Sequence, residues 1–307
     1  MKILLTGATG LIGSRFEELA HETQEIIPLS SFQGIDITDK NSIEQFLEDK
    51  EFDVAVHLAA KTDVDGCELD KEEDLRLLGT SEDNVMGIDL SSVESKSFQY
   101  KKTAIAINTI GTKNLYEVVK ARGKKFVYVS SDFVFSGNEE FNTEQTNPSP
   151  VNWYGMSKYL GEKIVDHEKD LVIRLSFPYG FMSPVKKDFV WKLHDLLQAN
   201  DEVSLVSDQM ITPTFIDDIV NGIQFLLDKE ASGLFHLTGS SAHTPMQIGQ
   251  KIKDAFAFST AINPMSLATL YEGKAPRPFQ SRMKNVRLVN LGFVPKTFDE
   301  GLSLIQY

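Results

Sequence analysis

Short apolar runs alternate with stretches of helical periodicity through the first half of the chain. Lys2–Thr6, Glu25–Leu29, Asp53–Leu58, Lys125–Ser130 and Leu171–Leu175 are brief and largely apolar, as strands buried on both faces require. Between them, four segments read as helices: Leu11 to about His21, Asp39–Glu48, Ser97–Arg122 and Val151 to about His167. Asp39 suits the cap of the second and Gly123 the stop of the third. Such alternation predicts right-handed βαβ units and an α/β fold with a doubly wound parallel sheet. Sheets of this kind bind ligands at the carboxyl ends of strands, where the strand order reverses.

The pattern loosens after Phe177. Helices are expected at Lys186–Asn200, Ile216–Lys229 and Pro245–Phe258, with short strands at Val203–Val206 and Leu234–Leu237. The expected division is a Rossmann-type dinucleotide-binding domain over 1–176 and a small mixed substrate lobe over 177–307, some of whose segments return to the first domain. Asp65–Glu94 shows no clear periodicity. It carries ten acidic against two basic residues, a net −8, and reads as an inserted, solvated surface loop or lid.

Composition narrows the class. The 307 residues can bury a large core, 41% are hydrophobic, and no apolar run is long enough to span a membrane. A strand starting at Lys2 leaves no room for a leader, and one cysteine, Cys67, excludes an internal disulfide; a cytoplasmic protein is expected. The net charge of −13 argues against a nucleic-acid partner.

Two features carry chemistry. Gly7, Gly10 and Gly13 sit at three-residue spacing between the first strand and first helix, where a tight turn and helix amides favour a pyrophosphate. Tyr154 and Lys158, at i and i+4 on one helix, place a phenol beside an ammonium that favours the phenolate. Ser130 and Ser131 end a strand 23 residues before Tyr154, where a hydroxyl can share charge developing on a carbonyl oxygen.

Thr6–Gly13, Gly34–Asp39, Leu58–Asp65, Ile107–Leu115 and Ser130–Gly137 together resemble an extended short-chain dehydrogenase/reductase of the NAD-dependent epimerase/dehydratase superfamily. The closest resemblance is to the dTDP-4-dehydrorhamnose reductase branch, whose Ser-Thr-Asp-Tyr-Val-Phe signature Ser130–Phe135 follows; Asp208–Gln209, Pro213–Thr214 and Ala275–Pro278 resemble its substrate-lobe motifs. The resemblance implies Tyr154 as proton donor, Lys158 lowering its pKa and holding the nicotinamide ribose, and Ser131 with Asp132 at the substrate oxygen. It implies cofactor contacts from Gly7, Thr9, Gly10, Leu11, Ile12, Gly13, Ser30, Asp36, Ile37, Leu58, Ala59, Ala60, Lys61, Asn108, Ser130 and Phe177. Gln209, Thr214 and Arg277 are candidates for the nucleotide-sugar side, Arg277 because a guanidinium pairs a diphosphate with two hydrogen bonds. Trp153 either lines the sugar site or belongs to the core.

Phe133 replaces the signature's tyrosine, Phe177 stands where the branch often has tryptophan, and Met210–Thr212 lacks the usual glycine. These departures leave the substrate open. No acid ends the second strand at Leu29–Ser31, and Arg15 can reach a 2′-phosphate, which tilts the cofactor slightly from NAD toward NADP; an exposed helix arginine with no ligand is the other reading. The six histidines lack metal spacing, and His57 reads as core. Asp63 and Asp65 are candidates for a divalent ion or a homodimer contact, but loop carboxylates are usually just solvated, and no metal is expected. The leading expectation is NAD(P)H-dependent reduction of a 4-keto-6-deoxy nucleotide sugar. The alternatives are a nucleotide-sugar epimerase or dehydratase, and a cofactor-binding regulatory subunit without turnover.

Overall fold

The computed structural model describes residues 1–20, 24–180 and 187–305. In chain order it forms β1 (Lys2–Thr6), α1 (Leu11–Leu19), β2 (Glu25–Leu29), α2 (Lys40–Phe46), β3 (Val54–His57), α3 (Val64–Leu69), α4 (Lys71–Leu78), α5 (Thr112–Ala121), β4 (Lys125–Ser131), α6 (Trp153–Glu162) and β5 (Leu171–Leu175). There follow β6 (Pro178–Tyr179), α7 (Phe189–Ala199), β7 (Glu202–Val206), β8 (Thr214–Phe215), α8 (Ile216–Asp228), β9 (Gly233–His236), α9 (Pro245–Ala255), β10 (Ala261–Met265), α10 (Leu267–Leu270), α11 (Val286–Asn290) and α12 (Phe298–Ser303).

Six parallel strands make the central sheet, in the order β2-β1-β3-β4-β5-β9. The chain leaves β1 to one side for β2 and then crosses to the other for β3. The crevice at the carboxyl ends of β1 and β3 is therefore the switch point of the fold. Alternate residues of each strand feed opposite faces. Ile3, Leu5, Val54, Val56, Val127 and Val129 pack with α8 residues Ile219 and Ile223. Leu4, Ala55, Phe126, Tyr128 and Val172 pack with Ile43, Leu115 and Val119 from α2 and α5. Burial on both faces explains why these strands read as unbroken apolar runs.

A second core lies beyond β5. Tyr179, Val190, Trp191, Leu205, Phe215, Ile248 and Phe298 join β6, β8, α7, α9 and α12 around the parallel pair β7 and β10. The chain also returns to the main sheet in this half, since β9 pairs with β5 and α8 packs on α1.

Several elements differ from their expected form. The helix expected over Ser97–Arg122 begins only at Ala104 and opens into a wide π turn over Ala106–Gly111 before α5. There the Asn108 side chain leaves the helix to grip both backbone groups of Lys61, at 2.8 and 3.0 Å. The helix expected from Val151 starts at Trp153 because the Asn152 side chain caps it, accepting from the Gly155 amide at 2.8 Å. The expected ends at His21 and Lys186 lie outside the described residues.

The largest correction concerns Asp65–Glu94, which is not a solvated loop. Its first part folds into α3 and α4, and Cys67, Leu78, Val85 and Leu90 bury against Trp153, Met156 and Leu160 of α6. Its acids conceal the apolar spacing because several of them point at backbone amides rather than water.

Candidate active site

The turn after β1 is shaped by its glycines. Gly7 has φ +68°, and a Cβ on Gly13 would lie 2.2 Å from the Gly7 carbonyl oxygen, so α1 starts in backbone contact with the turn. Gly10 caps α1, with no side chain taking up the helix amides and no acid in the first turn. That leaves a positive helix end facing the crevice, a fit for the pyrophosphate of a dinucleotide.

On the other side of the crevice, α6 comes against the end of β4. A Cβ on Gly155 would lie 2.0 Å from the Phe133 carbonyl oxygen, so only glycine lets the helix come this close. Tyr154 is thereby brought beside Ser131, and both line the same cavity. The Tyr154 ring meets Phe133 edge-on at 5.5 Å. Lys158 is buried, with Nζ 4.3 Å from the centre of the Tyr128 ring. Asp132 is also buried and accepts from the Ser131 and Ser176 hydroxyls, each at 3.0 Å.

Burial governs the proton affinities. It lowers the Lys158 ammonium to about 7 against the opposing charge of Glu162. It raises the Asp132 carboxyl to about 6, against nearby serine hydroxyls that favour its charged form. It raises the Tyr154 phenol well above its usual value, with Asp132 adding to the rise and Ser131 opposing it. The expected lowering of Tyr154 by Lys158 is therefore not what the structure shows: desolvation dominates, and Ser131, not Lys158, is the group that opposes it. For Asp132 the folded pKa, about 6, lies above the usual 3.8. Its stabilising contribution is full below about pH 4 and is lost as the pH rises through about 6. Asp132→Asn should remove that loss, on the order of 2–3 kcal/mol, and flatten the urea-midpoint profile between those pH values.

A cavity of about 850 Å³ unites the two sides. Of the residues expected at the site, Gly7, Thr9, Gly10, Leu11, Ile12, Gly13, Leu58, Ala59, Ala60, Ser130, Ser131, Asp132, Tyr154, Lys158, Phe177, Gln209 and Arg277 line it. Phe177 does so with φ +42°, a costly conformation for a bulky residue. Arg277 lies over the Tyr271 ring at 4.4 Å and donates to Asp65 at 3.0 Å, while Gln209 donates to the Pro278 carbonyl at 2.9 Å.

Eight expected residues do not line the cavity. Arg15 is paired with Asp217 at 2.6 and 2.8 Å, and with Glu18, which removes it as the argument for a 2′-phosphate. Trp153 is core, with its indole donating to Asp74 at 2.8 Å. Thr214 is buried and donates to the Ser176 carbonyl at 2.5 Å. Ser30 caps a short 3₁₀ turn with Gln33, and Asp36 accepts from Thr38 and Lys102. Ile37 packs in the core against Gly111, and Lys61 and Asn108 hold one another by two hydrogen bonds.

Sequence reasoning missed Asp188, Lys192 and Tyr271, which also line the cavity. A signal existed for Asp188. It precedes the apolar run Phe189–Trp191 and caps α7, accepting from Val190 and Trp191 amides at 2.8 and 3.0 Å.

A family model described as RmlD substrate binding domain matches residues 1–86 and 92–306. The chain belongs to this family. Several of its structural neighbours are dTDP-4-dehydrorhamnose reductases, and the family lies within the NAD-dependent epimerase/dehydratase superfamily. Only 87–91 of the acidic segment fall outside the match, so most of that segment is part of the family pattern rather than an insertion. A probable low-salt glycan biosynthesis reductase, Agl14 of Haloferax volcanii, is 29% identical, the match covering 100% of this chain and 97% of that protein. Methionine adenosyltransferase 2 subunit beta of Xenopus laevis is 24% identical over 96% of this chain and 84% of that protein. Among solved structures, the dTDP-4-dehydrorhamnose reductase of Bacillus anthracis in complex with NADP superposes with a TM-score of 0.83 at 28% identity, covering 99% and 98% of the two chains.

Proposed function

We propose that this chain is an NAD(P)H-dependent reductase of a 4-keto-6-deoxy nucleotide sugar. The observation that carries the reading is the meeting of the glycine turn with Ser131, Asp132, Tyr154 and Lys158 in one cavity at the switch point. The reductases among its relatives support it, and the NADP held by the Bacillus anthracis enzyme replaces Arg15 as the reason to favour NADP.

The glycine turn and the start of α1 would hold the pyrophosphate of the dinucleotide, with Leu58–Ala60 flanking it. When bound, the reduced nicotinamide supplies two electrons and one hydrogen to the keto carbon. Ser131 would turn its hydroxyl from Asp132 to the keto oxygen, and Tyr154 would give that oxygen a proton. Burial keeps Tyr154 in the protonated form that a donor needs. An alkoxide developing on the sugar is about as basic as hydroxide, whose parent water has a pKa of about 15.7. Transfer from the phenol is thus favourable even with its raised pKa. Arg277 and Lys192, both in the cavity lining, suit the diphosphate of the sugar nucleotide.

Consumption of NADH and NADPH against a panel of 4-keto-6-deoxy nucleotide sugars tests the reading. Turnover on one sugar supports it; none across the panel, with the cofactor demonstrably bound, refutes it for those sugars. NAD that co-purifies without net consumption points to an epimerase. A second reading, a cofactor-binding subunit without turnover, draws on the adenosyltransferase subunit among the relatives. It predicts bound cofactor and no consumption at all. Gly13→Ala is expected to weaken NADPH binding at least tenfold, about 1.4 kcal/mol, because its Cβ displaces the turn. A fluorescence titration measures it.

A further inference from the structure

The acids of the 65–94 segment have a destination that their charge pattern does not suggest. We propose that Glu68 and Asp74 are positioning residues for the proton-donating helix, holding Trp153 by its backbone amide and its indole and so setting where Tyr154 stands. The catalytic consequence rests on the reductase reading above; the holding itself does not.

The first amides of a helix have no partner within it. In α6 the Gly155 amide is taken by Asn152, and the Trp153 amide donates to Glu68 Oε2 at 2.8 Å, across 85 residues of chain. A carboxylate there also complements the positive end of the helix. The Trp153 indole donates to Asp74 Oδ2 at 2.8 Å, and the same oxygen accepts from the Ile105 amide at 3.0 Å. Asp70, at the start of α4 and one turn before Asp74, accepts from the Ala104 amide at 2.8 Å and from Lys61 Nζ. One acidic hairpin thus joins the starts of two helices, and Cys67, Leu78 and Val85 pack it against α6. Asp74 is fully buried, a costly place for a carboxyl that these donors make tenable.

The residue so held is the neighbour of Tyr154. Its phenol must meet a substrate oxygen beside Ser131, and a displacement of about 1 Å at a reacting group costs on the order of a hundredfold in rate. Loosening the first turn of α6 therefore reaches the chemistry through Tyr154, with the glycine turn and its cofactor contacts left in place.

Glu68 is the residue to vary, because its side chain is 27% exposed and its loss leaves the core intact. Glu68→Ala removes the acceptor. Glu68→Gln keeps an acceptor oxygen but removes the charge that pairs with Lys71. In the full chain, Glu68→Ala is expected to speed amide exchange over 153–155 and to lower kcat about tenfold or more, with the dissociation constant for NADPH unchanged. Glu68→Gln should restore most of both. Wild-type exchange over 153–155 in Glu68→Ala overturns the holding. Faster exchange with unchanged kcat overturns the positioning role, as does a Gln variant no better than Ala. If the wild type turns over none of the sugars, the reductase reading is what has failed. The exchange comparison of Ala with Gln then decides the holding alone.

Discussion

Tyr154→Phe is expected to lower turnover by about 10²- to 10⁴-fold, the usual contribution of a positioned general acid, while leaving NADPH affinity unchanged. The change deletes one oxygen and keeps the ring. Its edge contact with Phe133 persists, and the short distance between α6 and β4 is set by Gly155 rather than by the phenol. Stability should stay within about 0.5 kcal/mol of wild type, as for substitutions that break no packing or buried pair. Steady-state NADPH oxidation with a fluorescence titration of the cofactor separates the two effects. A fall in affinity equal to the fall in rate would assign Tyr154 to cofactor binding instead. Unchanged turnover would remove it from the chemistry.

The largest loss of stability is expected from Arg174→Met. Arg174 and Glu162 form a buried pair, bonded twice at 2.8 and 2.7 Å, between β5 and the far end of α6. The guanidinium also lies 4.9 Å from the centre of the Phe135 ring. Removing the cation leaves a buried carboxylate uncompensated, which costs about 3–5 kcal/mol. Replacing both partners with apolar residues should cost much less, because no charge is then stranded. Urea midpoints for the two singles and the double measure the difference as a mutant cycle. A double variant as unstable as Arg174→Met would show that packing, not charge, is what the pair supplies.

The same pair reaches the active site. Glu162 lies one turn beyond Lys158, and its charge holds the ammonium up against the desolvation that brings it to about 7. Glu162→Gln removes that support, so Lys158 should shed its proton at a lower pH. If the ammonium helps hold the cofactor, NADPH binding then weakens at a lower pH than in the wild type, and titrations between about pH 6 and 8 record the shift.

Local pattern served well wherever a residue's role depends on its near neighbours in the chain. The central strands of the first half stand within a residue or so of their expected bounds, because burial on both faces leaves an apolar run that needs no partner to be read. The glycine turn and the Tyr154/Lys158 spacing were legible for the same reason. The residues that misled were those whose partner lies far away. Arg15 reads as a phosphate ligand until Asp217, 202 residues on, takes its guanidinium. Trp153 could face a sugar until Asp74 claims its indole from 79 residues before. Asp36 and Ser30 are satisfied close by, by capping and turn bonds that composition does not reveal.

By itself, then, the sequence determined a parallel α/β sheet, a glycine turn between its first strand and first helix, and the placing of Tyr154 and Lys158 on one helix. Each follows from periodicity or from spacing within a single element. Only the tertiary structure decided that the acidic segment is a folded support for α6, that burial raises Tyr154 rather than lowering it, and which of the expected residues face the cavity. Those outcomes depend on desolvation and on hydrogen-bond partners brought together from distant parts of the chain, and neither is encoded in the neighbourhood of any one residue.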